Sequence, residues 1–200
     1  MKLSELLEYT ASEYLDDRTD LVAGDPDSLW SDKTLIRYFN EAQTILCRRA
    51  WVIVDREHPV ASVLTLVSGK TYYPLHKSIL RVLSVTPADS VVPLAHVADS
   101  RLAYGPQDDF LPFDVNRVTQ ESAGYPKAVA TDVGTRKIRV FPVPGDDQAG
   151  LRLIMKVARL PVCPLVLGTD AEPEVPEEWH MSLCWYAAGK CLTHPTVDSD

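Results

Sequence analysis

LWSDKTLIRYFNEAQTILCRRAW, residues Leu29 to Trp51, reads as one helix with a defined start and one apolar side. Ser31 stands at the N-cap position, Asp32 follows at the positive end of the helix dipole, and Trp30 is placed to staple onto Leu35 one turn in. Leu35, Phe39, Ala42, Leu46 and Ala50 recur at helical spacing with Ile36 and Gln43 flanking, while Arg37, Asn40, Glu41, Thr44 and Arg48 occupy the far face. The helix is patterned to pack and carries nothing catalytic, so it points to assembly rather than chemistry.

Toward the N-terminus, Ser4 to about Leu15 predicts a first helix, with Ser4 as its cap and Leu3, Leu7, Ala11 and Tyr14 along one stripe. The polar stretch Asp16 to Ser28, with Gly24 and Pro26, reads as the loop that joins the two into a helical hairpin. Toward the C-terminus the pattern changes. Val60 to Val67, Thr71 to Leu75, Ile79 to Val85 and Val91 to Val97 read as strands, broken by Ser68-Gly69-Lys70 and by Pro87-Ala88-Asp89-Ser90. A short helix from Asp99 to Tyr104 precedes an irregular, exposed loop, Gly105 to Gly124. Ala128 to Thr131, Lys137 to Phe141 and Leu151 to Leu160 form a second strand group.

The Pro-rich segment Pro161 to Pro176 reads as an extended linker, and Pro176-Glu177-Glu178 opens a last helix running to about Thr193. His180, Leu183, Cys184, Ala187 and Cys191 lie on one side of it, and Met181, Trp185, Ala188 and Leu192 on another. Such a helix needs two covers, either a central place among its own chain's helices or a neighbouring subunit. The expected fold is α+β: a helical bundle (N-terminal helix pair plus C-terminal helix) with an inserted antiparallel β-rich region. The boundaries are a hairpin at 1–51, the β-rich insertion at 52–160, and a linker, helix and short tail at 161–200, making one structural domain with a β lobe.

Composition fits an ordinary globular protein, with 46% hydrophobic and 24% charged residues. No apolar run approaches the ~20 residues of a membrane span. Glu5 and Glu8 interrupt any secretory plan at the start, so the chain is expected to stay in the cytoplasm where it is made. Cys47, Cys163, Cys184 and Cys191 show no pairing motif and read as small core residues without a disulfide. A formal charge of -8 argues against a protein that grips nucleic acid, since phosphate affinity needs clustered Lys and Arg.

Four potential metal ligands, His180, Cys184, Cys191 and His194, share a helical face, but the first and last are about 21 Å apart along the axis and cannot hold one ion. The acidic pairs Asp16-Asp17, Asp108-Asp109 and Asp146-Asp147 fall in loops and read as solvated turns. Arg48, Arg49 and Trp51 interleave base and aromatic, yet cations in a helix's last turn already favour its dipole. Tyr72-Tyr73-Pro74-Leu75 reads as a half-buried strand end. Neither a nucleophile elbow, a phosphate loop nor a zinc-protease motif occurs, so no catalytic residue, cofactor or metal is expected.

In order along the chain, Leu29-Trp30-Ser31-Asp32 through Asn40-Glu41-Ala42-Gln43 and Arg48-Arg49-Ala50 is followed by Val67-Ser68-Gly69-Lys70-Thr71-Tyr72-Tyr73-Pro74-Leu75 with Ile79-Leu80-Arg81-Val82. Gly124-Tyr125-Pro126-Lys127-Ala128, Ile138-Arg139-Val140-Phe141-Pro142-Val143-Pro144 and Val175-Pro176-Glu177-Glu178-Trp179-His180 complete the series. This succession resembles the head-to-tail adaptor (connector) proteins of tailed bacteriophages. The resemblance implies a structural, non-enzymatic homo-oligomeric ring in the phage neck, usually of twelve copies, that binds the portal protein. It also implies a tail-side partner (tail tube, nozzle or head-completion protein), passage of double-stranded DNA without sequence-specific binding, and no membrane. The protein would reside in the virion, after assembly in the host cytoplasm. The sequence departs from the family in its short tail after the last helix.

On this reading Leu35, Phe39, Ala42, Leu46, Met181, Trp185 and Leu192 are the candidate bundle and subunit packing residues. Gln107, Asp108 and Asp109 of the long loop, with Pro195 and Val197 of the tail, are candidate partner contacts, and the tail is expected to order on docking. Two alternatives remain at this point: another virion or tail-assembly component (tail completion or baseplate), and a small metal-dependent hydrolase using an acidic loop.

Overall fold

A computed structural model describes residues 1–16, 29–99 and 123–193. The chain divides into two compact units, Met1–Ile53 with Leu160–Asp200, and Val54–Arg159. Three α-helices and largely antiparallel sheets among the described residues make the fold mixed helix and sheet, in keeping with the α+β class.

In the first unit, α1 (Leu3–Tyr9) passes into a π-helical turn, Thr10–Tyr14, closed by the Leu15 amide on the Thr10 carbonyl at 3.2 Å. Its start differs from the expected one. Lys2 takes the N-cap position and its amide donates to the Glu5 carboxylate at 2.9 Å, while Ser4 lies inside the first turn and donates to Asp170 at 2.9 Å. A Glu three residues beyond the cap is half of a capping box, and here it does the work expected of Ser4.

Helix α2 (Asp32–Ala50) begins where its pattern places it, with Ser31 Oγ accepting from the Thr34 amide at 3.3 Å. It ends at Trp51, held at φ 50° with its amide on the Cys47 carbonyl at 3.1 Å. Helix α3 (His180–Thr193) follows a 3-10 turn, Glu177–Trp179, that starts after Pro176. Helix α2 packs on α3, and α1 touches both. Leu6, Leu35, Phe39, Leu183 and Cys184 lie fully buried in their shared core. Cys47 and Cys191 are also buried, but Cys163 is exposed, contrary to its expected core role. All four are free thiols.

Residues 161–176 do not behave as a spacer. Asn40 donates to the Leu165 carbonyl and accepts from the Leu165 amide, both at 2.9 Å, and Gln43 accepts from the Glu174 amide at 3.2 Å. Leu165 and Val175 are buried in the helical core, so the segment is a strap fastened across α2. Asn40 is thus half-buried and Gln43 fully so, where helical periodicity had set Asn40 on the far, polar side.

In the second unit β8 (Arg152–Arg159) is central. It pairs antiparallel with β1 (Val54–Asp55) and β2 (Val63–Thr65) on one side and with β4 (Ile79–Pro87) on the other. The β4 register slips between Ile79 and Arg81 and again between Val82 and Ser84, leaving Leu80 and Leu83 as extra, exposed residues. The second sheet runs β3 (Tyr72–Pro74), β7 (Lys137–Phe141), β6 (Ala128–Ala130), β5 (Ala95–His96). Its β5–β6 pair is parallel, which corrects the wholly antiparallel expectation. Several strands are shorter than their apolar runs, and β1, only two residues long, carries no readable alternation.

Candidate subunit interface

Helix α3 has one side buried and one side open. His180, Leu183, Cys184, Ala187 and Cys191 are all buried, as their spacing predicts. On the second side Ala188 is buried too, but Met181 is only half-covered, Trp185 is 59% exposed and Leu192 is 73% exposed. The Trp185 indole N–H donates to the Tyr14 hydroxyl, so its polar atom is satisfied within the chain and its apolar ring is what remains on offer. Tyr14 is itself held by an edge-on contact with Tyr9, with ring centroids 5.5 Å apart.

Of the other packing candidates, Leu35, Phe39 and Ala42 lie in the core and Leu46 packs at its margin, half-buried. Glu41 couples α2 to α3, accepting from the Tyr186 hydroxyl at 2.7 Å and pairing with Lys190 at 3.2 Å. The Tyr186 hydrogen bond first, helped by Lys190, holds the Glu41 carboxyl below its ordinary range against the opposing effect of burial. Gln107, Asp108, Asp109, Pro195 and Val197 lie outside the described residues, as do the Asp99–Tyr104 helix beyond Asp99 and most of the loop expected at 105–124.

The second unit is fastened where the glycines and prolines of the sequence blocks meet. Gly69, at φ 71°, turns the chain, and its amide donates to the Pro144 carbonyl at 2.9 Å. The Gly124 amide donates to the neighbouring Val143 carbonyl at 2.9 Å. The buried Tyr73 hydroxyl closes the Val67–Lys70 turn, which leads from the first sheet to the second, by donating to the Val67 carbonyl at 3.1 Å and accepting from its amide at 3.0 Å. Tyr125 donates to Asp89 at 2.6 Å, and that bond pushes its phenol up to about 12. The turn so held presents Val91 and Val92, 95% and 67% exposed. Asp146 is an anchor rather than a bare acidic turn, since Ser68 donates to it.

The geometry offers little to a metal. His180 is buried with Nδ1 at 3.0 Å from the Met1 amine and Nε2 at 3.0 Å from the Val175 carbonyl, so both ring nitrogens are engaged. Burial pushes the Cys184 thiol up, away from the thiolate a metal would need. Among the described residues no three His, Cys, Asp or Glu side chains cluster as a metal site, and no helix is long and apolar enough to cross a membrane.

The SU10 adaptor protein family model matches residues 1–199. The chain belongs to the SU10 adaptor family. This is a family of phage head-to-tail adaptors, structural virion components rather than a class of enzymes, that interact with other head and tail proteins. No curated protein sequence matches the chain significantly. Sequence reasoning missed Asn40 and Gln43 as the residues that hold the strap. Their signal was three-residue spacing beside the apolar stripe of α2, which sets both amides at its edge.

Proposed function

We propose that this chain is a ring-forming subunit of the phage neck that joins the portal to the tail and forms part of the DNA channel. The observation that carries the reading is the adaptor-family match across residues 1–199. The open side of α3 supports it, because a helix with Trp185 and Leu192 exposed beside a fully buried face gains by being covered by another subunit. The charge of -8 supports the channel role, since a lumen that DNA must traverse should not adhere to phosphate.

On this reading α1, α2 and α3 form the bundle of the ring wall, with Leu35, Phe39, Ala42 and Leu46 packing within it. Met181, Trp185 and Leu192 pack between copies, usually twelve in such rings by resemblance. Gln107, Asp108, Asp109, Pro195 and Val197 reach the portal or the tail-side partner, which is a tail tube, nozzle or head-completion protein. Duplex DNA passes without sequence-specific contact, and the ring assembles in the host cytoplasm. Native mass spectrometry of the purified chain mixed with its phage's portal tests this: a discrete multimer bound to portal is expected. A chain that stays monomeric and unbound at every ratio overturns it and directs attention to a tail-completion or baseplate role.

A further inference from the structure

Two surfaces at opposite ends of α2 are opposite in charge. Beside its N-terminal end lies a groove of about 530 Å³ between α1 and the strap, with Leu3, Leu7 and Leu167 as its apolar lining and Glu8 and Asp32 as acids, while a third acid, Asp170, is already paired with Lys2 at 2.7 Å. At its C-terminal end Arg48 and Arg49 are exposed in the last turn, and Trp51, 42% exposed, stands at the left-handed cap beyond them. Sixteen residues of helix separate Asp32 from Arg48, about 24 Å along the axis. Both surfaces belong to the same compact unit.

We propose that the Arg48-Arg49-Trp51 corner of one copy docks into the acidic groove of the next, so that copies of this chain associate head to tail. The occupant is a second copy because the chain itself supplies the basic, aromatic surface that an apolar groove with an acidic rim selects. An indole covers part of the apolar floor of such a groove while flanking guanidiniums meet carboxylates at the rim. Groove against groove would set acid against acid, and corner against corner base against base, so a two-fold dimer through either surface is disfavoured. A heterologous contact between two different patches is the kind that repeats and closes into a ring. The inference rests on the ring reading above and adds a pair of surfaces between copies to the open side of α3.

Charge exchange tests it. One variant, R48E/R49E, carries an acidic corner; the other, E8K/T169K, places two lysines on the groove rim, which is then net basic because Asp170 is already paired with Lys2 and only Asp32 opposes them. All four positions are exposed, so the fold, checked by circular dichroism and melting, should persist. Each variant alone, with portal present, should need about a hundredfold higher concentration to assemble than the parent chain. Mixed in equal amounts the two should assemble again, because the acidic corner of one then meets the basic groove of the other and the unaltered corner meets the unaltered groove. Should either charge-reversed variant melt early, R48Q/R49Q and E8Q replace them and each should weaken assembly about tenfold.

Assembly of folded R48E/R49E at parental concentrations, or folded variants that stay apart when mixed, overturns the inference while leaving the ring reading intact. A parent chain that never assembles, with or without portal, overturns the ring reading itself.

Discussion

Replacing Asn40 with alanine is the sharpest probe of how the helical unit is held together. The side chain makes two bonds of 2.9 Å to the amide and carbonyl of Leu165, a residue only 4% exposed. Alanine leaves both backbone groups without that partner, and a buried donor or acceptor stripped of its bond costs roughly 1–3 kcal/mol. The Asn40 amide is itself half-buried, so water recovers part of this, and a total of about 2–4 kcal/mol is expected. For a chain of this length each kcal/mol shifts the melting point by about 2–4 °C, giving a fall of roughly 4–16 °C.

Asn40→Asp separates the two bonds. It keeps the acceptor for the Leu165 amide but sets a carboxylate oxygen against the Leu165 carbonyl, so it should cost at least as much near neutral pH and recover as the acid protonates. Urea unfolding gives the global number, and amide exchange at Leu165 reads the local one. Unchanged unfolding together with unchanged protection at Leu165 would refute the claim that Asn40 fastens the strap.

Phe39→Ala, at a fully buried site, should cost about 3–5 kcal/mol, whereas Leu46→Ala at the half-buried margin should cost under about 2 kcal/mol; equal costs in urea titrations would contradict that ranking. Tyr73→Phe removes the hydroxyl that bridges both polar groups of Val67 and should lower stability by about 1–3 kcal/mol in the same assay, with no loss if the turn holds without it. Glu41 lies below its ordinary 4.5, chiefly through Tyr186. Asp55 lies below 3.8, because bonds from the Glu57 amide and Arg159 together outweigh burial, the largest single effect. A carboxyl depressed in the folded state contributes stability that is fully present above its unfolded value and lost as pH falls through the folded one. Stability should therefore decline from about pH 4.5 downward, and less so in Glu41→Gln, by pH-dependent melting. Tyr125 should titrate in ultraviolet absorbance at about 12 and return toward 10.0 in Asp89→Asn; the same titration in both would remove Asp89 as the cause.

The helix starts that rest on local chemistry are legible in the chain. Ser31 caps α2 because its hydroxyl reaches an amide three residues on, a relation sequence spacing contains. The buried side of α3 follows from the 3.6-residue period in the same way. What periodicity does not contain is what covers a polar position. Asn40 counts as polar and hence outward, but its two-sided amide matches a backbone donor and acceptor 125 residues away, and only folding brings Leu165 there. Ser4 misleads for a smaller reason, since two residues near the chain's start compete for one cap and Lys2 with Glu5 wins it. The bulges that expose Leu80 and Leu83 are hidden because an extra residue in a strand breaks the two-residue alternation by which strands are read. For the candidate interface, the apolar second side of α3 could be read from spacing, but which of its residues stay open could not: Ala188 is covered and Trp185 and Leu192 are not.

Electron micrographs of this chain assembled on the purified portal of its own phage test the central claim most directly. The account predicts class averages with a closed ring of copies coaxial with the portal and an open axial channel continuous with the portal's. A portal that keeps its bare profile at saturating chain, or copies bound off the axis with no closed ring, would contradict it.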